Sequence, residues 1–313
     1  MYKRPQSVIS LFLLLFMIPL MLQYADAQEK TSFSMEPVSD EAFQVIVQCY
    51  QYDRDMPLDA RIVEKSNYPD YVREKIVFNG IRDSRVPGYL AVPKKGSPPY
   101  PCILLMHGYT GNKGEWWEDS SFYGGGLVTK QFVPAGFAVF ALDAQYHGER
   151  AANNDFEKPD LMRDRGWSAR SIEMIIQSVT EYCRAIDYLE TRQDIDSSRI
   201  GVHGYSMGGM MAFLLTGIEP RVRVTVSCVT WNWDVDTPKY TLIAPHNFAR
   251  AVGNRPFLML MGRSDPILPD DAARRLYNLV GGQEKNLIFY DSGHRLPDEY
   301  ISESLLWFEK YLK

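Results

Sequence analysis

Read for its apolar and polar positions alone, the chain changes character near residue 72. Before it, residues 28 to about 70 read as an N-terminal extension. Its clearest element is a helix from Asp40 to about Tyr50, with Ser39 as the cap. From Val72 onward, strand-like stretches at Glu74 to Phe78 and Gly88 to Val92 flank the turn-rich 79–83, which predicts an opening antiparallel pair. Two continuous apolar runs follow, Cys102 to Met106 and Phe137 to Leu142, with a helical segment at Leu127 to Gly136 between them. Runs without alternation are expected of strands covered by helices on both faces, because neither face then meets water.

The same rhythm continues to the end of the chain. Ile172, Ile175, Ile176, Val179, Cys183, Ile186 and Leu189 keep helical spacing and fall on one stripe. Arg199 to His203, Val222 to Val229, Phe257 to Met261 and Asn286 to Tyr290 read as strands. Met207 to Thr216, Asp270 to Val280 and Glu299 to Leu312 read as helices. Alternation of this kind predicts an α/β fold, a doubly wound and mostly parallel sheet with helices on both faces, over residues 71–313. Two stretches without clear period, Ala144 to Ala169 and Trp231 to Asn254, each begin where a strand ends and are expected to overhang a site at the carboxyl ends of the strands.

Composition refines this picture. A chain of 313 residues that is 45% hydrophobic has enough apolar material for one large core. A net charge of −5 offers no basic field for nucleic acid or anionic lipid. Lys3 and Arg4 precede an apolar run from Val8 to Leu22 and the small residues Ala25-Asp26-Ala27, the pattern of a signal peptide over 1–27 cut after Ala27. Export to the periplasm or beyond, with no stable membrane anchor after removal of the signal, is the expectation. Of the four cysteines, Cys102 and Cys228 sit in strand-like runs and Cys183 on a helix face, so no obligatory disulfide framework is expected.

The chemistry concentrates in Gly204-Tyr205-Ser206-Met207-Gly208, between a predicted strand and a predicted helix. In that setting Gly-x-Ser-x-Gly describes a sharp turn that presents a serine hydroxyl. A serine needs a base to accept its proton and a third group to orient the base. Asp265 in Gly262-Arg263-Ser264-Asp265-Pro266 and His294 in Asp291-Ser292-Gly293-His294 each follow a predicted strand. The order Ser, Asp, His suits a serine hydrolase triad. His107, His203 and His246 are weaker bases by position, and Asp234 and Asp236 remain a minor alternative acid. The developing oxyanion would meet the backbone amides of Met207 and of Tyr109, the latter in the loop His107-Gly108-Tyr109-Thr110-Gly111. Trp116, Trp117, His147, Trp231 and Trp233 stand in segments after strands, where they would line a substrate pocket; ordinary aromatic packing is the competing reading.

On the His107-Gly108-Tyr109 loop, the 204–208 elbow and the Asp265 and His294 contexts, residues from about 72 to 313 resemble α/β-hydrolases of the dienelactone hydrolase and acetyl xylan esterase type. The resemblance implies carboxylic ester hydrolysis without a cofactor, acting on a small-molecule or carbohydrate ester. The chain departs from true dienelactone hydrolases in having Ser206 where they carry a cysteine nucleophile. It also implies that Asp143, in the stretch 143–150, is architectural. No His-Glu-x-x-His stretch or close Cys/His set offers metal-ligand spacing. A peptidase or acyltransferase with the same triad, and a noncatalytic binding protein on the same fold, are the alternatives.

Overall fold

The computed structural model describes residues 35–232 and 238–313; the signal sequence expected over 1–27 lies outside them, as do Trp233, Asp234 and Asp236. Among the described residues nine strands form one sheet: β1 (Arg61–Asn67), β2 (Tyr71–Asn79), β3 (Arg85–Pro93), β4 (Tyr100–Met106), β5 (Ala138–Leu142), β6 (Ile195–Tyr205), β7 (Val222–Cys228), β8 (Phe257–Gly262) and β9 (Lys285–Tyr290). Their order is β1-β2-β3-β5-β4-β6-β7-β8-β9. The pairs β1–β2, β2–β3 and β3–β5 are antiparallel, whereas every pair from β5 to β9 is parallel. This is the doubly wound, mostly parallel arrangement expected from the apolar rhythm, and the α/β-hydrolase arrangement that the resemblance implied.

Both faces of the sheet are covered, and β4 shows why its sequence has no polar alternation. Cys102, Leu104 and Met106 enter one core layer, while Ile103 and Leu105 enter the other. The first layer is closed by α1 (Asp40–Gln48), α4 (Ser168–Glu190), α5 (Met207–Ile218) and α7 (Asp270–Leu279), through Ile46, Val179, Met210, Phe213 and Leu276. The second is closed by α2 (Gly125–Phe132) and α8 (Glu299–Leu312), through Val128, Phe132, Ile301, Phe308 and Leu312. The helix α1 starts where Ser39 Oγ accepts the amide of Ala42 at 3.3 Å. It is anchored by Tyr50, whose hydroxyl donates to Leu242 O at 2.8 Å.

The extension is not separate from the sheet, since β1 falls within it. That strand has no apolar face: six of its seven residues are exposed and the seventh is intermediate, so no alternation marked it. The segments without clear period contain short helices, α3 (Asp160–Asp164) and a 3₁₀ turn at Gly148–Asn154 in the first, and α6 (Pro245–Phe248) between 3₁₀ turns in the second. No helix among the described residues is long and apolar enough to cross a membrane.

Phe308 is fully buried, with its ring against Phe132, Phe137 and His203 at 5.7, 6.3 and 6.4 Å. Replacing it by alanine removes a ring that α8 uses to hold the second layer. Phe308→Ala is expected to cost about 3–5 kcal/mol of unfolding free energy, measured by urea denaturation.

Candidate active site

Strand β4 lies between β5 and β6, so the chain leaves its carboxyl end toward opposite faces of the sheet on the two sides, and the loops after β4 and β6 meet at this switch point. Ser206 stands between β6 and α5 with φ 58° and ψ −113°, a conformation that side chains other than glycine rarely adopt. The surrounding backbone enforces it. A Cβ on Gly204 would lie 2.0 Å from Gly208 O, and one on Gly208 would lie 2.0 Å from Met106 O. Only glycine permits the start of α5 to press against the ends of β4 and β6 in this way. Ser206 N donates to Cys228 O at 2.9 Å, and Trp231 N donates to Ser206 O at 3.2 Å, which fixes the turn from the neighbouring strand.

Ser206 Oγ is 2.8 Å from His294 Nε2, and His294 Nδ1 is 2.9 Å from Asp265 Oδ2. The Asp265 side chain is fully buried, and its other oxygen accepts the amide of Ile267 at 2.8 Å. Held this way, the carboxylate fixes the imidazole with Nδ1–H toward Asp265 and a bare Nε2 toward the serine. The loop bearing His294 is tied down by Tyr205, whose hydroxyl donates to His294 O at 3.1 Å and accepts the amide of Leu296 at 2.9 Å. Tyr205 was the variable position of the Gly-x-Ser-x-Gly pattern, and nothing in that pattern singles it out.

Around these groups lies a cleft of about 280 Å³ lined by Tyr109, Glu115, Phe122, Tyr123, Asp160 and Trp231, together with Ser206 and His294. Helix α5 begins at Met207, so its first amides have no partner within the helix and its positive end lies next to the serine. The loop after β4 passes on the other side: a Cβ on Gly108 would be 3.7 Å from Ser206 Cβ. Tyr109 is set by its hydroxyl, which donates to Pro159 O at 2.8 Å, and by its ring against Trp231 at 4.6 Å.

Of the aromatic and histidine residues expected along the pocket, Trp231 is brought to the cleft and three others are not. Trp116 is fully buried, packed on Tyr123 at 4.6 Å and His203 at 5.6 Å in the second core layer. Trp117 lies against Tyr89 and the Arg73 guanidinium on the β2–β3 side of the sheet. His147 is buried behind the loop after β4, with Nε2 2.5 Å from Tyr109 O and Nδ1 2.8 Å from Gln145 O. Each stands after a strand, but the loops turn their side chains inward. Glu115, Phe122, Tyr123 and Asp160 line the cleft without any sequence signal: Glu115 stands on the short helical turn Lys113–Trp117, Asp160 opens α3, and Phe122 and Tyr123 lie in the connection before α2.

A buried ionic group supports these loops. Asp143 accepts from Lys113 Nζ at 2.7 Å, from Lys113 N at 2.9 Å and from Glu149 N at 2.9 Å. Arg150 pairs with Glu181 beneath it through two contacts, at 2.5 and 2.9 Å. No group of His, Cys, Asp and Glu among the described residues is arranged to hold a metal ion.

A sheet with this strand order and a Ser-His-Asp line at its switch point defines a hydrolase of the α/β-hydrolase fold. The dienelactone hydrolase family profile matches residues 86–294, two thirds of the chain, and the chain belongs to that family. It is 23% identical to Esterase YjfP of Escherichia coli (strain K12) over 68% of this chain and 90% of that protein. It is 25% identical to Acetyl esterase Axe7A of Xylanibacter ruminicola over 72% of this chain and 56% of that longer protein. Acetyl xylan esterase 1 from Thermoanaerobacterium sp. JW/SL YS485 superposes with a TM-score of 0.70 at 18% identity, covering 88% of this chain and 94% of that one.

Burial makes four histidines liabilities in acid, His107, His147, His203 and His246. It pushes His107 and His203 from the ordinary 6.5 down to about 3. Between those values the unfolded chain binds a proton at each ring that the folded chain does not. Stability from this source is therefore complete above about pH 6.5 and lost as the pH falls toward 3. Urea midpoints measured at pH 7 and pH 5 should show the fall, and His203→Phe should reduce it.

Proposed function

We propose that this ester hydrolase of the dienelactone hydrolase family acts through Ser206, His294 and Asp265 on short-acyl esters, acetylated carbohydrates among them. The observation that carries the reading is the hydrogen-bonded line from Ser206 Oγ through His294 to Asp265, at 2.8 and 2.9 Å, opening into the cleft. Ser206 Oγ attacks the acyl carbon and its proton passes to His294 Nε2. The alcohol leaves with that proton. Water then attacks the acyl-serine, again giving a proton to His294, which returns it to Ser206 as the acid is released. Asp265 keeps the imidazole oriented and stabilises its charged form. The oxyanion of each step is met by the amides of Met207 and Tyr109, each worth ~2.7–4 kcal/mol of barrier.

Short acyl groups suit the small cleft, and Phe122 and Trp231, the more open of its aromatic lining residues, offer faces on which a sugar ring stacks. The expected export rests on the apolar run and the small residues before Gln28. An exported mature protein should begin at Gln28 on N-terminal sequencing.

The test is hydrolysis of p-nitrophenyl acetate, longer p-nitrophenyl esters and acetylated sugars. Ser206→Ala should lower kcat by about 10⁴-fold or more, and Asp265→Asn by about 10⁴-fold, with the fold intact by circular dichroism. Retained turnover in Ser206→Ala would remove the triad from the mechanism. Retained binding of a sugar ester with no turnover in the unaltered protein would favour a noncatalytic binding protein.

A further inference from the structure

The oxyanion amide assigned to Tyr109 shares a planar peptide with the Gly108 carbonyl, and the two groups point in opposite directions across it. Gly108 lies beside the nucleophile, since a Cβ built on it would stand 3.7 Å from Ser206 Cβ. Its carbonyl oxygen accepts from Gly111 N at 3.0 Å and lies 2.8 Å from His107 Nδ1. Ala144 N donates to His107 Nε2 at 3.1 Å, so the proton of that ring sits on Nδ1 and is given to Gly108 O. His107 is thus fully paired as a neutral ring.

His147 meets the next carbonyl along the loop, and its proton count is different. The ring is 3% exposed and packs against His107 at 5.0 Å and Tyr109 at 6.1 Å. Nε2 is 2.5 Å from Tyr109 O and Nδ1 is 2.8 Å from Gln145 O, so both nitrogens face carbonyl oxygens, which only accept. A neutral imidazole has one N–H to give. Burial holds the ring below its ordinary range, and the charges of Asp143 and Arg150 act on it in opposite directions. One of the two contacts therefore carries the proton. The shorter has the stronger claim, because nitrogen and oxygen lone pairs 2.5 Å apart repel unless a proton lies between them. Gln145, by contrast, belongs to the same turn as His147, which the His147 amide already closes by donating to Ala144 O at 3.0 Å.

We propose that His147 is a positioning residue for the oxyanion amide of Tyr109. With its proton on Nε2 it fixes the Tyr109 carbonyl, while His107 fixes the Gly108 carbonyl. The Tyr109 nitrogen lies between these two carbonyls along the backbone, so its N–H stays aimed at the place where the oxyanion forms. A donor held in advance needs no reorganisation when the charge develops, which is what makes such a group effective. His147 touches no substrate; it acts through the backbone from the turn after β5. This rests on the ester-hydrolase reading above, which gives the Tyr109 amide to the oxyanion, and adds the side chain that holds it there.

The test compares the full-length protein with His147→Gln, His147→Asn and His147→Phe in the hydrolysis of p-nitrophenyl acetate. The affinity of each for phenylboronic acid is measured beside it, because the boron adds to Ser206 Oγ and sets a bound oxygen where the oxyanion forms. A glutamine amide nitrogen stands where Nε2 stands and donates to Tyr109 O, whereas an asparagine nitrogen stands where Nδ1 stands and reaches only Gln145 O. His147→Asn and His147→Phe should lower kcat by about 10²-fold, with KM little changed, and weaken the boronate by a similar factor. His147→Gln should keep most of both. Circular dichroism at the assay temperature checks folding, and if the phenylalanine variant does not fold, the Gln and Asn pair decides alone. If the unaltered protein is active but His147→Gln is no better than His147→Asn, or the loss falls on KM with kcat and boronate affinity kept, the clamp on Tyr109 is overturned and ester hydrolysis stands. If the unaltered protein hydrolyses no ester at all, the functional reading fails and this one with it.

Discussion

The close approach of three backbone segments at the serine turn is the constraint on which the site depends. The ends of β4 and β6 and the first turn of α5 press together with no room for a methyl group at Gly204 or Gly208. A non-glycine residue with φ near +58° costs ~1–3 kcal/mol, which the rest of the fold must offset. The offset is visible in the two hydrogen bonds that clamp Ser206 from Cys228 and Trp231, and in the apolar layers that hold the strands beneath. Loosening the core would relax this turn first, because it is where strain is stored.

A second tier of polar contacts lies behind the loops and explains why some polar residues are scaffold. Asp143 holds Lys113 and the start of the 148–154 turn, and His147 reaches the carbonyl of Tyr109. Breaking one half of such a buried pair leaves the other charge uncompensated, a loss of about 3–5 kcal/mol. The architectural part that the family resemblance gives to Asp143 agrees with these contacts. The position of the Tyr109 backbone is thus set from two sides, by Pro159 through its hydroxyl and by His147 through its carbonyl.

Much of the fold was legible because β4 and β5 are buried on both faces and so carry continuous apolar runs, and because helices such as α4 and α8 keep one clear stripe. The serine, the aspartate and the histidine were legible because each must follow a strand in a fixed order. What escaped lies where no periodicity operates. Strand β1 has no buried face to pattern. Trp116 and Trp117 share a short turn that directs one into the core and the other onto the sheet flank, a choice made by packing with Tyr123 and Tyr89. Tyr205, Glu115 and Tyr123 take their places through loop conformation, which a linear pattern does not encode.

The cysteines divide sharply by environment. Cys102, Cys183 and Cys228 are buried thiols that burial pushes well above their ordinary range, while Cys49 alone is exposed, at the end of α1. The folded molecule therefore offers a single nucleophilic sulfur to an alkylating reagent, and the unfolded one offers four. A fluorophore or cross-linker placed at Cys49 would sit on the helix that caps the first core layer, and the number of labels per molecule over time would act as an internal clock for opening of the sheet.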